Sequence, residues 1–247
     1  MALRVIPVPR PIVLPAGQEV LADSFVMERI AGESLPRQLL RDEAYADARR
    51  RLPAQLGATL ARIHSLAAED VTGVPVQSTA YLIDIARRVT ALFPEPRPIF
   101  ELALAWLTER TRERSKPCLV HGDFRNGNFV VGPEGLRAVL DWEYAYLGDP
   151  VADLAFLCLK PWRYGRADEV GGFGPREELY RAYEAAGGDP VDPEAMRFWE
   201  VLYNLRWGSL CLARGMGHVL RIGRSVESAA IGRRVAETEH DILELIG

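Results

Sequence analysis

Two short runs hold residue types that could do chemistry: His121-Gly122-Asp123-Phe124-Arg125-Asn126-Gly127-Asn128, and Leu140-Asp141-Trp142-Glu143. Asp123 precedes Asn128 by five positions, and Asp141 follows on what reads as the next strand but one. Moving a phosphoryl group onto a hydroxyl requires a carboxylate that takes or positions the hydroxyl proton, and hard oxygen ligands that hold magnesium against the phosphates. Asp123 suits the first task. Asn128 and Asp141 suit the second, and so small a set of protein ligands leaves the rest of an octahedron to water and phosphate oxygens.

Such side chains need a frame. Cys118 to Val120, Asn128 to Val131 and Leu136 to Leu140 read as short strands. Gly132-Pro133-Glu134-Gly135 joins the last two as a hairpin, which sets Asn128 and Asp141 at one end. Around them the pattern is helical. Leu52, Leu56, Leu60, Ile63 and Leu66 recur at three- and four-residue steps, which predicts an amphipathic helix over 46–66, with Pro53 marking a kink or a late start. Helices are expected at 79–92, 98–113, 150–159, 175–186, 193–214 and 225–246, with Ser34 capping another that carries Leu35, Leu39 and Leu40. The opening stretch differs: 3–14 reads as extended and broken by prolines, Pro15-Ala16-Gly17 as a turn, and Ser24 to Ile30 as a short buried strand.

A chain of 247 residues with 48% hydrophobic and 26% charged residues has the makings of a folded enzyme. Its formal net charge of -4 argues against binding a phosphate backbone, so no nucleic-acid partner is expected. No run is long and apolar enough to span a membrane, and the first ten residues lack a signal-peptide core. Cys118, Cys158 and Cys211 are widely spaced and odd in number, which fits reduced thiols and a cytoplasmic protein.

Leu119-Val120-His121-Gly122-Asp123 through Asn128, then Val139-Leu140-Asp141-Trp142-Glu143, Gly148-Asp149-Pro150 and Asp153-Leu154-Ala155 together resemble the catalytic block of the aminoglycoside phosphotransferase and choline kinase superfamily. Asn204-Leu205-Arg206-Trp207-Gly208 and the stretch from Ser225 to Arg234 resemble a subgroup similar to the kinase-like domain fused to acyl-CoA dehydrogenases. The resemblance implies an α+β, protein-kinase-like fold, mainly the helical C-terminal lobe (31–247) with a two-strand remnant of the N-terminal lobe and hinge (1–30). It implies Asp123 as catalytic base and Asn128 and Asp141 as magnesium ligands. It also implies that the Phe25-Val26-Met27-Glu28-Arg29 backbone, through Met27, Glu28 and Arg29, receives the base of ATP or GTP.

Other residues take supporting readings. His121 is structural; His64, His218 and His240 stand alone as surface or helix-packing residues; Asp149 and Asp153 are supports, Asp149 as a helix cap. Glu143 belongs to a charged rim, Gly171-Gly172-Phe173-Gly174 to a flexible loop, and Trp162 and Tyr164 to a pocket rim. No lysine and no glycine-rich turn precede Phe25, since the two lysines are Lys116 and Lys160. Either the true start lies upstream or the chain is a degenerate member, and Arg4 or Arg10 would be poor substitutes for the missing lysine. An uncovered face at Val5, Ile6, Val8, Ile12 and Val13 would invite a homodimer through the remnant strands. Three functions follow: an ATP- and magnesium-dependent phosphotransferase acting on a small-molecule hydroxyl, a catalytically impaired pseudokinase-like binding or scaffold protein, or a metal-dependent phosphohydrolase using Asp123 and Asp141.

Overall fold

Leu39, Leu52, Leu56, Leu60 and Ile63 have no exposed surface, so the apolar stripe read from the sequence does line a core. The structure, a computed structural model, describes residues 6–13, 25–66, 68–93, 95–222 and 225–247. In chain order its elements are β1 (Pro11–Val13), β2 (Val26–Met27), α1 (Pro36–Arg41), α2 (Ala46–His64), α3 (Thr79–Ala91), α4 (Pro98–Glu109), β3 (Cys118–Val120), β4 (Phe129–Gly132), β5 (Gly135–Val139), β6 (Tyr146–Gly148), α5 (Val151–Cys158), α6 (Arg176–Ala185), α7 (Pro193–Val219), α8 (Val226–Gly232) and α9 (Val235–Ile246). Contacts gather these into two units.

The first unit draws on residues 1–66, 121–145 and 160–190. Here α2 packs along α6 so closely that a Cβ on Gly57 would lie 2.3 Å from the Leu179 carbonyl oxygen. His64, one of the histidines expected to pack helices, ends α2 with its Nδ1 3.0 Å from the Tyr183 hydroxyl on α6. Pro53 lies inside α2 rather than near its start, its ring against Gly174. Beside these helices, β4 and β5 form the expected hairpin, closed by the pairing of Gly132 with Gly135. Val139 donates to the Pro7 carbonyl oxygen, and Glu33 exchanges backbone hydrogen bonds with Val131, so both edges of the hairpin are partnered.

Two expectations fail at the front of this unit. The strand expected to be buried over Ser24 to Ile30 is two residues long and exposed, Val26 by 53% and Met27 by 45%; Ser24 and the turn at Pro15-Ala16-Gly17 lie outside the described residues. Ser34 does not cap α1. The N-cap is Leu35, Pro36 occupies the first turn, and the Glu33 carboxylate accepts the Ser34 and Leu35 amides at 2.8 Å. In the β1–β2 ladder Glu28 donates to the Arg10 carbonyl oxygen and the Arg10 amide meets the Glu28 carboxylate. Pro11 and Met27 form the non-bonded pair between, so Pro9 and Pro11 turn their N–H-less nitrogens away from β2.

Gly171-Gly172-Phe173-Gly174 is a buried turn rather than a flexible loop. Gly171 and Gly172 take φ of 57° and 83°, and the Gly171 carbonyl oxygen accepts from the Asn126 side chain at 2.8 Å. A glycine run reads as flexible from composition, but here the missing side chains let backbone enter the core.

The second unit comprises residues 67–120, 146–159 and 191–247, organised on α7, which packs against α4, α5, α8 and α9. Its core includes Phe100, Leu107, Leu154, Trp199, Tyr203 and Ile242. β6, too short to give a period in the sequence, pairs antiparallel with β3. The helix expected over 225–246 is two: Gly232 runs its backbone onto Gly215 of α7, and Arg233-Arg234 redirects the chain into α9. Asp149 is a support but not the N-cap expected of it, which is Pro150: one residue earlier, its carboxylate accepts from the Val151 amide at 3.1 Å and the Trp199 indole at 3.0 Å. Asp153 is fully buried. The three cysteines are buried free thiols, and burial pushes Cys211 up to about 11. Among the described residues no helix is long and apolar enough to cross a membrane.

Candidate active site

Between His121 and Phe129 the chain makes a tight polar loop, all of it in the first unit. Phe124 and Phe129, neither with any exposed surface, pack ring to ring at 4.8 Å and pin the loop at two points. Immediately before the first anchor, Asp123 faces a partly open surface, its side chain 14% exposed.

Asn128 donates its Nδ2 to the Asp123 carbonyl oxygen at 2.9 Å and to Asp123 Oδ2 at 2.6 Å. Both partners are acceptors, so the amide orientation follows from chemistry: the NH2 faces Asp123 and Oδ1 faces away. The Leu140 amide donates to the Asn128 carbonyl oxygen at 2.8 Å, continuing the β4–β5 ladder by one bond and setting Asp141 immediately past it. Asp141 is exposed and has left-handed backbone, φ 67° and ψ 59°, which asparagine and aspartate tolerate better than most residues. Its carboxylate makes no hydrogen bond among the described residues.

Of the three residues, Asp123 and Asn128 meet by a side-chain bond, and Asp141 follows in the chain directly after the Leu140–Asn128 backbone bond at the hairpin end. The Asn128 Oδ1 and the Asp141 carboxylate are hard oxygens left uncommitted, a donor set that fits magnesium.

His121 takes a structural part. Its Nδ1 accepts from the Asp123 amide at 3.2 Å, so Nε2 carries the proton and donates to the Leu140 carbonyl oxygen at 2.9 Å. The fully buried ring lies 4.5 Å from Trp142 and 5.7 Å from Phe124. It thereby ties the Asp123 loop to the end of β5. Of the hinge-like residues, Glu28 spends its amide on β1, Met27, in the non-bonded pair with Pro11, turns its backbone groups away, and Arg29 lies past the end of β2.

One residue escaped the sequence reading. Arg125 places its Nε 3.0 Å from Asp123 Oδ1 and 3.2 Å from Oδ2. Its guanidinium carbon stands 4.8 Å over the centre of the Trp162 ring. The available signal was a cation two positions after the aspartate inside an otherwise neutral loop. Trp162 itself is 6% exposed, so it supports Arg125 from beneath rather than forming an open rim; Tyr164, 46% exposed, does lie at the surface. Burial pushes the Asp123 carboxyl above the usual carboxylate range, while Arg125, the Asn128 hydrogen bond and His121 pull against it. Elsewhere, His240 does not stand alone as expected: it is clustered with Asp241 and Glu244 on α9.

A sequence model of the phosphotransferase enzyme family matches residues 2–199. The chain is 28% identical over 165 residues to acyl-CoA dehydrogenase family member 11 of Rattus norvegicus, a match covering 62% of this chain and 21% of that protein. With the Homo sapiens protein of the same name it is 29% identical over 194 residues, covering 72% of this chain and 25% of that one. The chain therefore spans about a fifth to a quarter of the length of these curated relatives. Among solved structures, a candidate aminoglycoside phosphotransferase from Ralstonia eutropha superposes with a TM-score of 0.79 at 20% identity, covering 97% of this chain and 78% of that one. The GDP complex of wild-type aminoglycoside 2'-phosphotransferase-IIIa superposes with a TM-score of 0.64 at 17% identity, covering 96% and 77%.

Proposed function

The chain belongs to the phosphotransferase enzyme family and has its kinase-like fold, and we propose that it moves the γ-phosphoryl group of ATP or GTP to a hydroxyl of a small molecule. The observation that carries this reading is the Asp123–Asn128 contact at 2.6 Å beside the free oxygens of Asn128 and Asp141. In the step, the acceptor hydroxyl gives its proton to Asp123 and its oxygen bonds to the γ-phosphorus. The bond from that phosphorus to the β–γ bridging oxygen breaks, and its electron pair leaves with the nucleoside diphosphate. Asn128 and Asp141 would hold Mg2+, which when bound draws charge from the phosphate oxygens. Met27, whose backbone groups point away from β1, is the part of the hinge suited to the base, with Glu28 and Arg29 beside it in sequence. The GDP bound by one structural relative supports GTP beside ATP as the donor.

Buried cysteines that form no disulfide support a cytoplasmic location. The decisive measurement is transfer of labelled γ-phosphate from ATP or GTP to a panel of hydroxylated compounds, with and without EDTA. Magnesium-dependent label on an acceptor is expected; no label from either nucleotide would defeat the reading, and release of phosphate without any acceptor would favour a phosphohydrolase.

Asp141→Gly separates function from stability at one position. Glycine adopts φ 67° without steric cost, so the unfolding midpoint should stay level or rise. Magnesium affinity should nevertheless fall by roughly 100-fold, the upper end of what even outer-shell changes cost. Calorimetry of both quantities checks this, and an unchanged magnesium titration removes Asp141 from the metal site.

A further inference from the structure

Arg125 commits one nitrogen and leaves a fork open. Its Nε meets both oxygens of Asp123, Nη1 makes only a long contact of 3.5 Å to the Asn126 carbonyl oxygen, and Nη2 has no hydrogen bond among the described residues. The fork has been given room: a Cβ on Gly127 would sit 2.8 Å from Nη1. The side chain is 24% exposed while the guanidinium lies over Trp162, so the cation is held at an opening rather than sealed inside.

We propose that Arg125 is the phosphate-contacting cation of this chain, its terminal nitrogens engaging the γ-phosphoryl oxygens during transfer while Nε keeps Asp123 in place. The inference rests on the phosphotransferase reading above and adds a residue to it. Its logic is one of distance. The carboxylate that takes the acceptor proton must touch the acceptor oxygen, and that oxygen lies in line with the phosphorus it attacks. A guanidinium already on that carboxylate is therefore beside the phosphoryl group in transit. Negative charge spread over three equatorial oxygens needs preorganised cationic donors, and a planar fork meets two oxygens at once.

The test compares affinities of the full chain, in Mg2+, for ATP, GTP, ADP and GDP by calorimetry, for the natural sequence, Arg125→Ala and Arg125→Lys, with transfer measured alongside. The natural sequence should prefer triphosphate over diphosphate. Arg125→Ala should lose about 10- to 100-fold in triphosphate affinity, leave diphosphate affinity unchanged, and lose about 1000-fold in transfer. Added guanidinium ion should restore part of that transfer. Arg125→Lys, which keeps the charge without the fork, should fall between and serves if the alanine variant does not fold. A preserved triphosphate preference in Arg125→Ala overturns the proposal while leaving the phosphotransferase reading intact, as a fork serving an anionic acceptor would. Equal weakening of both nucleotides, or no preference in the natural sequence, also overturns it. Failure of the natural sequence to bind any nucleotide overturns the underlying reading as well.

Discussion

Asp123→Asn is expected to slow phosphoryl transfer by about 1000-fold, inside the range that general-base groups contribute. Asparagine keeps the shape of the side chain and cannot take the hydroxyl proton. The fold should survive, because burial already penalises the Asp123 charge and its loss offsets the weakened pairing with Arg125. Circular dichroism melting beside a transfer assay separates the two effects. A variant that melts normally and transfers at an undiminished rate would exclude Asp123 as the base.

Gly122→Ala should be the more damaging change to the molecule as a whole. Gly122 is buried at φ 80°, where alanine is strained, and a Cβ there would fall 2.2 Å from the Tyr144 carbonyl oxygen. Backbone meets backbone at that point, so no side-chain rotation relieves the clash. We expect about 3 kcal/mol or more of lost stability, combining left-handed strain with overpacking. Because Gly122 sits between His121 and Asp123, whatever remains folded should also transfer poorly. Urea unfolding gives the first quantity; a change below about 0.5 kcal/mol, the level of an ordinary surface substitution, would show that the 142–145 segment yields freely.

The site was legible because its parts are close in sequence. Asp123 and Asn128 share one loop, and Asp141 reaches them across a hairpin whose turn residues, Gly132 and Gly135, announce themselves. The long helices were legible from periodicity for the same reason. What failed depended on contacts that no local pattern encodes. Gly171 and Gly172 read as flexible until Asn126 binds the turn they make. The helix expected through 225–246 breaks where Gly232 meets Gly215. Arg125 passed unremarked because arginine is common in this chain, and only the carboxylate on one side and the indole on the other single it out. β6 is three residues long, too short to show an alternation of its own.

The alternating prolines of β1 have a consequence for what else can occupy the strand pair. A peptide laid along the side of Pro9 and Pro11 finds carbonyl acceptors and no donors, so templated strand addition is barred there. The opposite side, along β2, is where Met27 turns its backbone groups outward. If Met27 takes the base as proposed above, a strand added along β2 and that base would exclude one another.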